Sequence, residues 1–286
     1  MHPRDVATLE DLRAYLEGER REWFTIGWRD DRDVYMTDGT TLFERLSDGR
    51  VEVTGWSRGT HMSTAEYPDL RSAVQVFVND HLADKVRLEL SGQGLYEFVQ
   101  VVKATSTDGP VPSEGRWVVV VSEGAFHVGG MTMGRFRHYE SFEDPQLAVD
   151  VLQRLVRGRG PVEVAPDGQE LARRGQVTGQ GIVERTRQRG HAGEPGVGPG
   201  DVLDRVGHES GSQLFALGTP FAMRSQPPDM VGAEYHRYRV VDGLPDAREG
   251  TAVAWFGQPG GGAMIVAEHP VRWYLDHGHL VELVDG

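Results

Sequence analysis

The feature that most constrains this 286-residue chain is an internal repeat. Residues 46–82 align without a gap on residues 121–157, at an offset of 75. Ser47-Asp48-Gly49 falls on Ser122-Glu123-Gly124, Val53 on Val128, Gly55 on Gly130 and Gly59 on Gly134. Farther on, Tyr67 falls on Phe142, Asp69 on Asp144, and Ala73-Val74 on Ala148-Val149. Each copy reads as a turn, a strand, a glycine-bounded second strand and a helix. Leu70, Val74, Phe77 and Val78 mark the buried face of one helix; Leu147, Val151, Leu152 and Leu155 mark that of the other. Residues 1–157 are therefore expected to form one duplicated α+β domain. Trp117–Val121 would be a central strand buried on both faces, and Thr8 a cap for a first helix carrying Leu9, Leu12 and Leu16. No cluster of His, Asp, Glu and Ser in this half has a spacing that suits catalysis, so a packing or protein-binding scaffold is expected.

Composition narrows the function classes. With no cysteine, the chain has no disulfides, no thiolate metal site and no thiol nucleophile. Its formal net charge of −13 argues against nucleic acid or an anionic membrane as a partner. The start of the chain has no apolar core of a signal peptide, and no apolar run is long enough to span a bilayer. A cytoplasmic location is expected, or secretion by a route that reads no N-terminal signal. Glycine is abundant, with 37 residues, and unevenly placed. Eleven glycines fall in 158–200 with Pro161, Pro166, Pro195 and Pro199, so residues 158–195 read as a flexible Gly/Pro/Arg-rich linker with at most a short strand near Val177 or Ile182-Val183.

Residues 196–286 carry the chemistry. Tyr235–Val241 alternates and is rich in β-formers, which puts His236, Tyr238 and Val240 on one strand face and Tyr235, Arg237 and Arg239 on the other. The run Phe256-Gly257-Gln258-Pro259-Gly260-Gly261-Gly262 is too rich in glycine for a strand interior. It suits a loop whose bare amides approach a phosphate or a sugar diol, with Gln258 offering a donor and an acceptor. Arg, His and Gln around such a loop fit an anionic nucleotide with ribose hydroxyls. Paired glycosidase carboxylates, a Gly-x-Ser-x-Gly elbow, a Walker loop and a His-Glu-x-x-His zinc pattern are all missing.

Five motifs occur in order: Asp204-Arg205-x-Gly, Gly218-Thr219-Pro220-Phe221, Arg224-x-x-Pro227-Pro228, Tyr235-His236-x-Tyr238 and Phe256–Gly262. Together they resemble the tuberculosis necrotizing toxin domain, a family of NAD glycohydrolases, over roughly the last third of the chain. The resemblance implies a small, mostly β domain that hydrolyses the nicotinamide–ribose bond of NAD+ or NADP+, the dinucleotide being substrate, with no cofactor and no metal. The expected architecture is thus α+β: a duplicated α+β domain at 1–157, a Gly-rich linker, and a mostly β toxin-like domain at 196–286. The resemblance further implies catalytic roles for His236, Gln258 and Arg224, and substrate contacts from Arg205, Phe215, Tyr238, Gly260 and Gly261. Arg205 and Arg224 would face the pyrophosphate or nearby ribose oxygens; Arg237 and Arg239 read as solvated pairing residues, and although either could meet a 2′-phosphate, nothing in the sequence decides between NAD+ and NADP+. One position departs from the family pattern: an aromatic residue is expected shortly after Gly211, where Gln213 stands, leaving Phe215 as the substitute ring.

Two other readings accompany this one. Residues 1–157 are faintly similar to immunity factors of that toxin family, which implies an alternative in which an inhibitor or sensor is joined to an inactive or restrained toxin-like domain, by intramolecular inhibition or with a separate immunity protein. ADP-ribosyl transfer to a target is the third, without a catalytic glutamate near the glycine loop to support it.

Overall fold

The computed structural model describes residues 1–18, 25–30, 39–57, 60–103 and 113–286. Gly59, which falls on Gly134 in the repeat, lies outside them. The chain opens with α1 (Leu9–Gly18), whose start is a reciprocal cap. The Asp11 N–H donates to Thr8 Oγ1 (3.1 Å) while Asp11 Oδ2 accepts from the Thr8 N–H (3.0 Å). Strands β1 (Ile26–Trp28), β2 (Thr40–Arg45), β3 (Val51–Ser57) and β4 (Thr60–Tyr67) follow, and then the long helix α2 (Leu70–Gly92). A second set comprises β5 (Val99–Lys103), β6 (Trp117–Ser122), β7 (Ala125–Thr132), β8 (Arg135–Phe142) and helix α3 (Pro145–Arg157).

Each set forms a four-stranded sheet in sequential order, parallel between its first two strands and antiparallel thereafter. Asp69 and Asp144 cap the helices that leave the two sheets, each through its side-chain oxygen. One apolar cluster unites both halves, from Val6 and Leu9 through Phe43, Val74 and Val78 to Trp117, Phe126, Val149 and Leu152. β6 is the buried central strand expected. Leu147, by contrast, is exposed, and Ala148 and Val149 take its place on the inner face of α3.

The expected linker is ordered secondary structure. Val162–Val164 forms β9, and Gly168–Arg189 forms the 22-residue helix α4, which includes Val177 and Ile182-Val183. The reason lies in signals that the glycine count hid. Asp167 caps the helix through the N–H groups of Gln169 and Glu170, Gly190 ends it in the left-handed conformation, and Glu170–Arg173, Glu170–Arg174 and Glu184–Arg187 pair along it. Two of its glycines serve close packing: a Cβ on Gly175 would lie 2.4 Å from the Leu217 carbonyl, and one on Gly179 3.3 Å from Ala216 Cβ.

The remaining elements are β10 (Val202–Val206), β11 (Gln213–Ala216), β12 (Tyr235–Val240), β13 (Ala247–Thr251), β14 (Ala263–Ala267), α5 (Val271–Asp276) and β15 (Leu280–Val284). They build a seven-stranded sheet in the order β13-β14-β11-β10-β12-β15-β9, so the strand from the expected linker completes its edge, parallel to β15. Helix α4 is fastened by Glu249 of β13, which is fully buried and accepts from Arg185 Nε (2.7 Å), Arg185 Nη2 (2.8 Å) and the Gly196 N–H (2.9 Å).

Candidate active site

The expected site residues gather around the antiparallel pair β10–β12. Arg205 lies directly opposite His236, and Asp204 opposite Arg237. Directly paired residues share a sheet face, so Arg205, His236 and Tyr238 lie on one side and Asp204, Tyr235 and Arg237 on the other. Phe215, paired with Asp204 from β11, joins the second group.

On that second side a buried ion pair sets the geometry. Arg224, 4% exposed, meets the fully buried Asp204 through both terminal nitrogens, Nη1–Oδ1 at 2.6 Å and Nη2–Oδ2 at 2.7 Å. Its Nε donates to the Thr219 carbonyl (2.9 Å), and its guanidinium sits 4.9 Å from the Phe215 ring centroid. Asp204 Oδ2 also accepts from the Tyr235 hydroxyl (2.8 Å) and the Gly218 N–H (3.1 Å). Arg224 is thus committed to protein partners, and Phe215, fully buried beneath it, is a core ring rather than a surface for substrate. Sequence reasoning quoted Asp204 within a motif but gave it no role; the signal was its place beside Arg205 on a strand, facing the other way.

The glycine loop is anchored to the same region. Gly262 N–H donates to the Met223 carbonyl (3.0 Å), and a Cβ at Gly262 would stand 2.5 Å from that oxygen, so only glycine fits the contact. Gly260 and Gly261 both have positive φ, as do Phe256 and Ser225, two non-glycine residues held in the left-handed region. Gln258 Nε2 donates to the Gln226 carbonyl (2.7 Å), which tethers its side chain, while Gln258 Oε1 is buried without a partner.

On the first side, Arg205 is buried and bonded to the carbonyls of His208 (Nε, 2.8 Å) and Gln213 (Nη1, 2.8 Å), clasping the loop 207–213. Burial lowers its pKa. His236 Nδ1 bonds Glu282 Oε1 at 2.7 Å, and this bond raises the imidazole pKa, opposed by desolvation. His236 Nε2 is buried with no hydrogen-bond partner; its nearest acid, Glu234, is 3.6 Å away, too far for one. Tyr238 stacks on His236 with centroids 6.2 Å apart and is fully buried, so it supports the histidine from within. Glu209, His236 and Glu282 bring one ligand-type atom each within 4.8 Å of one another. Arg272 stands 3.4 Å from Glu209, and His236 Nδ1 already engages Glu282.

The N-terminal half reaches this same side. Ser212 N–H donates to Thr132 Oγ1 (3.0 Å), Gln213 Nε2 to Met133 Sδ (3.0 Å), and Trp117 meets the His208 ring edge-on at 5.9 Å. Arg137 pairs with Glu268 (2.6 Å), and the Tyr139 hydroxyl donates to Asp276 (2.7 Å). Gln213, the departure from the family pattern, is thus a contact between the two halves.

A buried arginine–carboxylate pair, a carboxylate-oriented histidine and a glutamine tethered beside a glycine loop, all on a small mixed sheet, define a polar candidate site. Comparison with known proteins shows what this stretch is similar to. Residues 196–283 match the family model described as Tuberculosis necrotizing toxin. The chain is also 33% identical over 132 residues to the conidial surface nicotinamide adenine dinucleotide glycohydrolase of Aspergillus fumigatus. That similarity covers 42% of this chain and spans 53% of the relative's length. Among solved structures, that of tuberculosis necrotizing toxin complexed with its immunity factor is 26% identical, covering 28% of this chain and 46% of that one, with a TM-score of 0.25.

Proposed function

We propose that the chain is a glycohydrolase of NAD+ or NADP+ of the toxin type, acting at the end of β10–β12. The observation that carries this reading is a pair of buried, unpartnered polar atoms, His236 Nε2 and Gln258 Oε1, held ready by Glu282 and by the Gln226 carbonyl. Polar atoms buried in that state are costly until a water or a ligand satisfies them, and these two stand beside the glycine loop and the β10–β12 pair. In the reaction, water oxygen bonds to C1′ of the nicotinamide ribose as the C1′–N bond breaks. The bonding electrons neutralise the pyridinium nitrogen, so nicotinamide leaves without an acid, and the water's proton passes to solvent. Catalysis then rests on orientation and on charge placed around an oxocarbenium-like centre. Gln258 Oε1 orients the attacking water or a ribose hydroxyl, and His236, kept protonated to higher pH by Glu282, holds a substrate oxygen through Nε2. Arg224 and Arg205 act as scaffold: one holds the Gly218–Arg224 segment, the other the 207–213 loop. Gly260 and Gly261 let the loop backbone approach the substrate. Incubating the chain with NAD+ and following free nicotinamide and ADP-ribose tests this reading directly.

One observation favours a second layer to the same reading, intramolecular restraint by residues 1–157. The loop that Arg205 clasps is gripped from outside by Thr132, Met133 and Trp117. A Cβ on Gly130 would lie 1.9 Å from the Ser210 carbonyl, so the two halves meet at backbone distance. An immunity protein acting in trans is a further proposal, resting on the toxin-type reading alone.

A further inference from the structure

We infer that the groove between α4 and the Ala216–Pro220 segment binds the adenine nucleotide end of a ligand, with its purine ring on Tyr235 and Asp204 as the positioning residue for that ring. The groove encloses about 1010 Å³ and is walled on one side by Leu171, Ala172 and Gln176 of α4, on the other by Leu217, Pro220 and Met223. Its lining is mainly apolar, and Tyr235 is its one aromatic residue. The Tyr235 ring is 52% exposed, yet its hydroxyl is fixed to the fully buried Asp204 at 2.8 Å. An exposed ring whose orientation is set by a buried carboxylate is a stacking platform whose ordering is complete before the ligand arrives.

Charge identifies the occupant. Arg237, two residues along the same strand face, also lines the groove and pairs with Asp285 (2.7 Å), which is 87% exposed beside the chain's last residue. A phosphate can displace so exposed a carboxylate at little cost, because solvent-exposed pairs contribute little. An apolar slot with one ring and one arginine fits a planar base joined to a phosphate, and Glu184, the acid in its wall, is tied to Arg187 (2.9 Å). Phe215 cannot serve, since it lies under Arg224. Helix α4 lies outside the segment that matches the toxin family model, so half of this groove is supplied by the stretch that reads as a linker in sequence. The assignment to adenine rests on the glycohydrolase reading, in which the nicotinamide end lies at Gln258, whose loop also lends Gly261 and Gly262 to the groove wall, and the remote end of the dinucleotide needs a separate subsite.

The test is AMP binding to the full chain, measured by calorimetry and by ligand-observed NMR, independently of turnover. Tyr235→Ala is expected to weaken AMP binding by about 10-fold or more, the scale of losing one base–aromatic stack. Gln176→Trp, at an exposed helix position facing the groove, should block AMP without lowering the melting temperature. Tyr235→Phe keeps the ring but frees it from Asp204 and should fall between wild type and Tyr235→Ala; equality with Tyr235→Ala would remove the stacking role, and equality with wild type the positioning role of Asp204. AMP binding by wild type with no release of nicotinamide from NAD+ by either wild type or Gly130→Ala would overturn the proposed activity and leave the subsite standing. AMP binding unaffected by both Tyr235→Ala and Gln176→Trp, or no AMP binding by wild type, would overturn the subsite.

Discussion

The two halves of the molecule are stabilised by different means. Residues 1–157 are held by an apolar cluster that runs through both four-stranded sheets, and among the described residues Arg137 is their one buried Arg, Lys, Asp or Glu. Even that arginine pairs with Glu268 in the other half. The C-terminal half buries Asp204, Arg205, Arg224, Glu249 and Arg272. Burying charge costs more than burying an apolar side chain of similar size, even when every partner is in place. A small domain that does so repeatedly around one strand pair has been shaped by something besides stability, and perturbed titratable groups concentrate at such sites. Glu249 is the instructive exception, since it anchors α4 and faces no groove.

The comparison predicts asymmetric responses to mutation. The largest effect belongs to Asp204→Ala, which leaves Arg224 buried without its carboxylate and should cost about 3–5 kcal/mol of stability, read by denaturant unfolding. A loss below about 1 kcal/mol would mean that the pair is not desolvated as the structure shows. Next come Gln258→Ala and His236→Ala, each expected to lower NAD+ turnover by roughly 10²-fold or more while the fold survives, as circular dichroism would report. Normal turnover in either variant removes that residue from the site.

Smaller and more diagnostic is Gly130→Ala, a wedge at the contact with Ser210. If residues 1–157 restrain the site, turnover should rise by about 5- to 150-fold, the usual range of coupling between sites. An unchanged or lower rate would make the contact purely structural. The subtlest effect is on protonation. Glu282 raises the His236 pKa, so their pairing stabilises the fold fully below the ordinary histidine value of 6.5 and ceases to do so as pH rises through the raised value. Glu282→Gln should therefore lower the His236 pKa, seen by NMR titration, and shift the alkaline limb of the activity profile to lower pH. An unmoved titration would show that Glu282 does not control the imidazole.

Much of this was legible in the sequence where local signals agree. The Thr8 cap, the doubly buried strand at Trp117 and the alternation at Tyr235 rest on patterns a few residues long. Helix α4 was hidden because composition outweighed position: its glycines lower helix propensity, and the cap at Asp167 and the ion pairs that offset them are visible only residue by residue. Its packing on the sheet is tertiary and has no local signature. At the site, the family motifs picked out Arg205, Arg224, His236 and Gln258, but not that both arginines are engaged by protein oxygens. Partners such as Glu282, Glu209 and Thr132 come from distant segments, and a single sequence offers no spacing rule that joins them.

A glycohydrolase site at the end of β10–β12 can be assayed by incubating the full chain and its Gly130→Ala and Gln258→Ala variants with NAD+ and quantifying free nicotinamide and ADP-ribose. Such a site should give equimolar release by the full chain, faster release by Gly130→Ala if the N-terminal half restrains it, and release reduced roughly 10²-fold by Gln258→Ala. No nicotinamide from either the full chain or Gly130→Ala would contradict it.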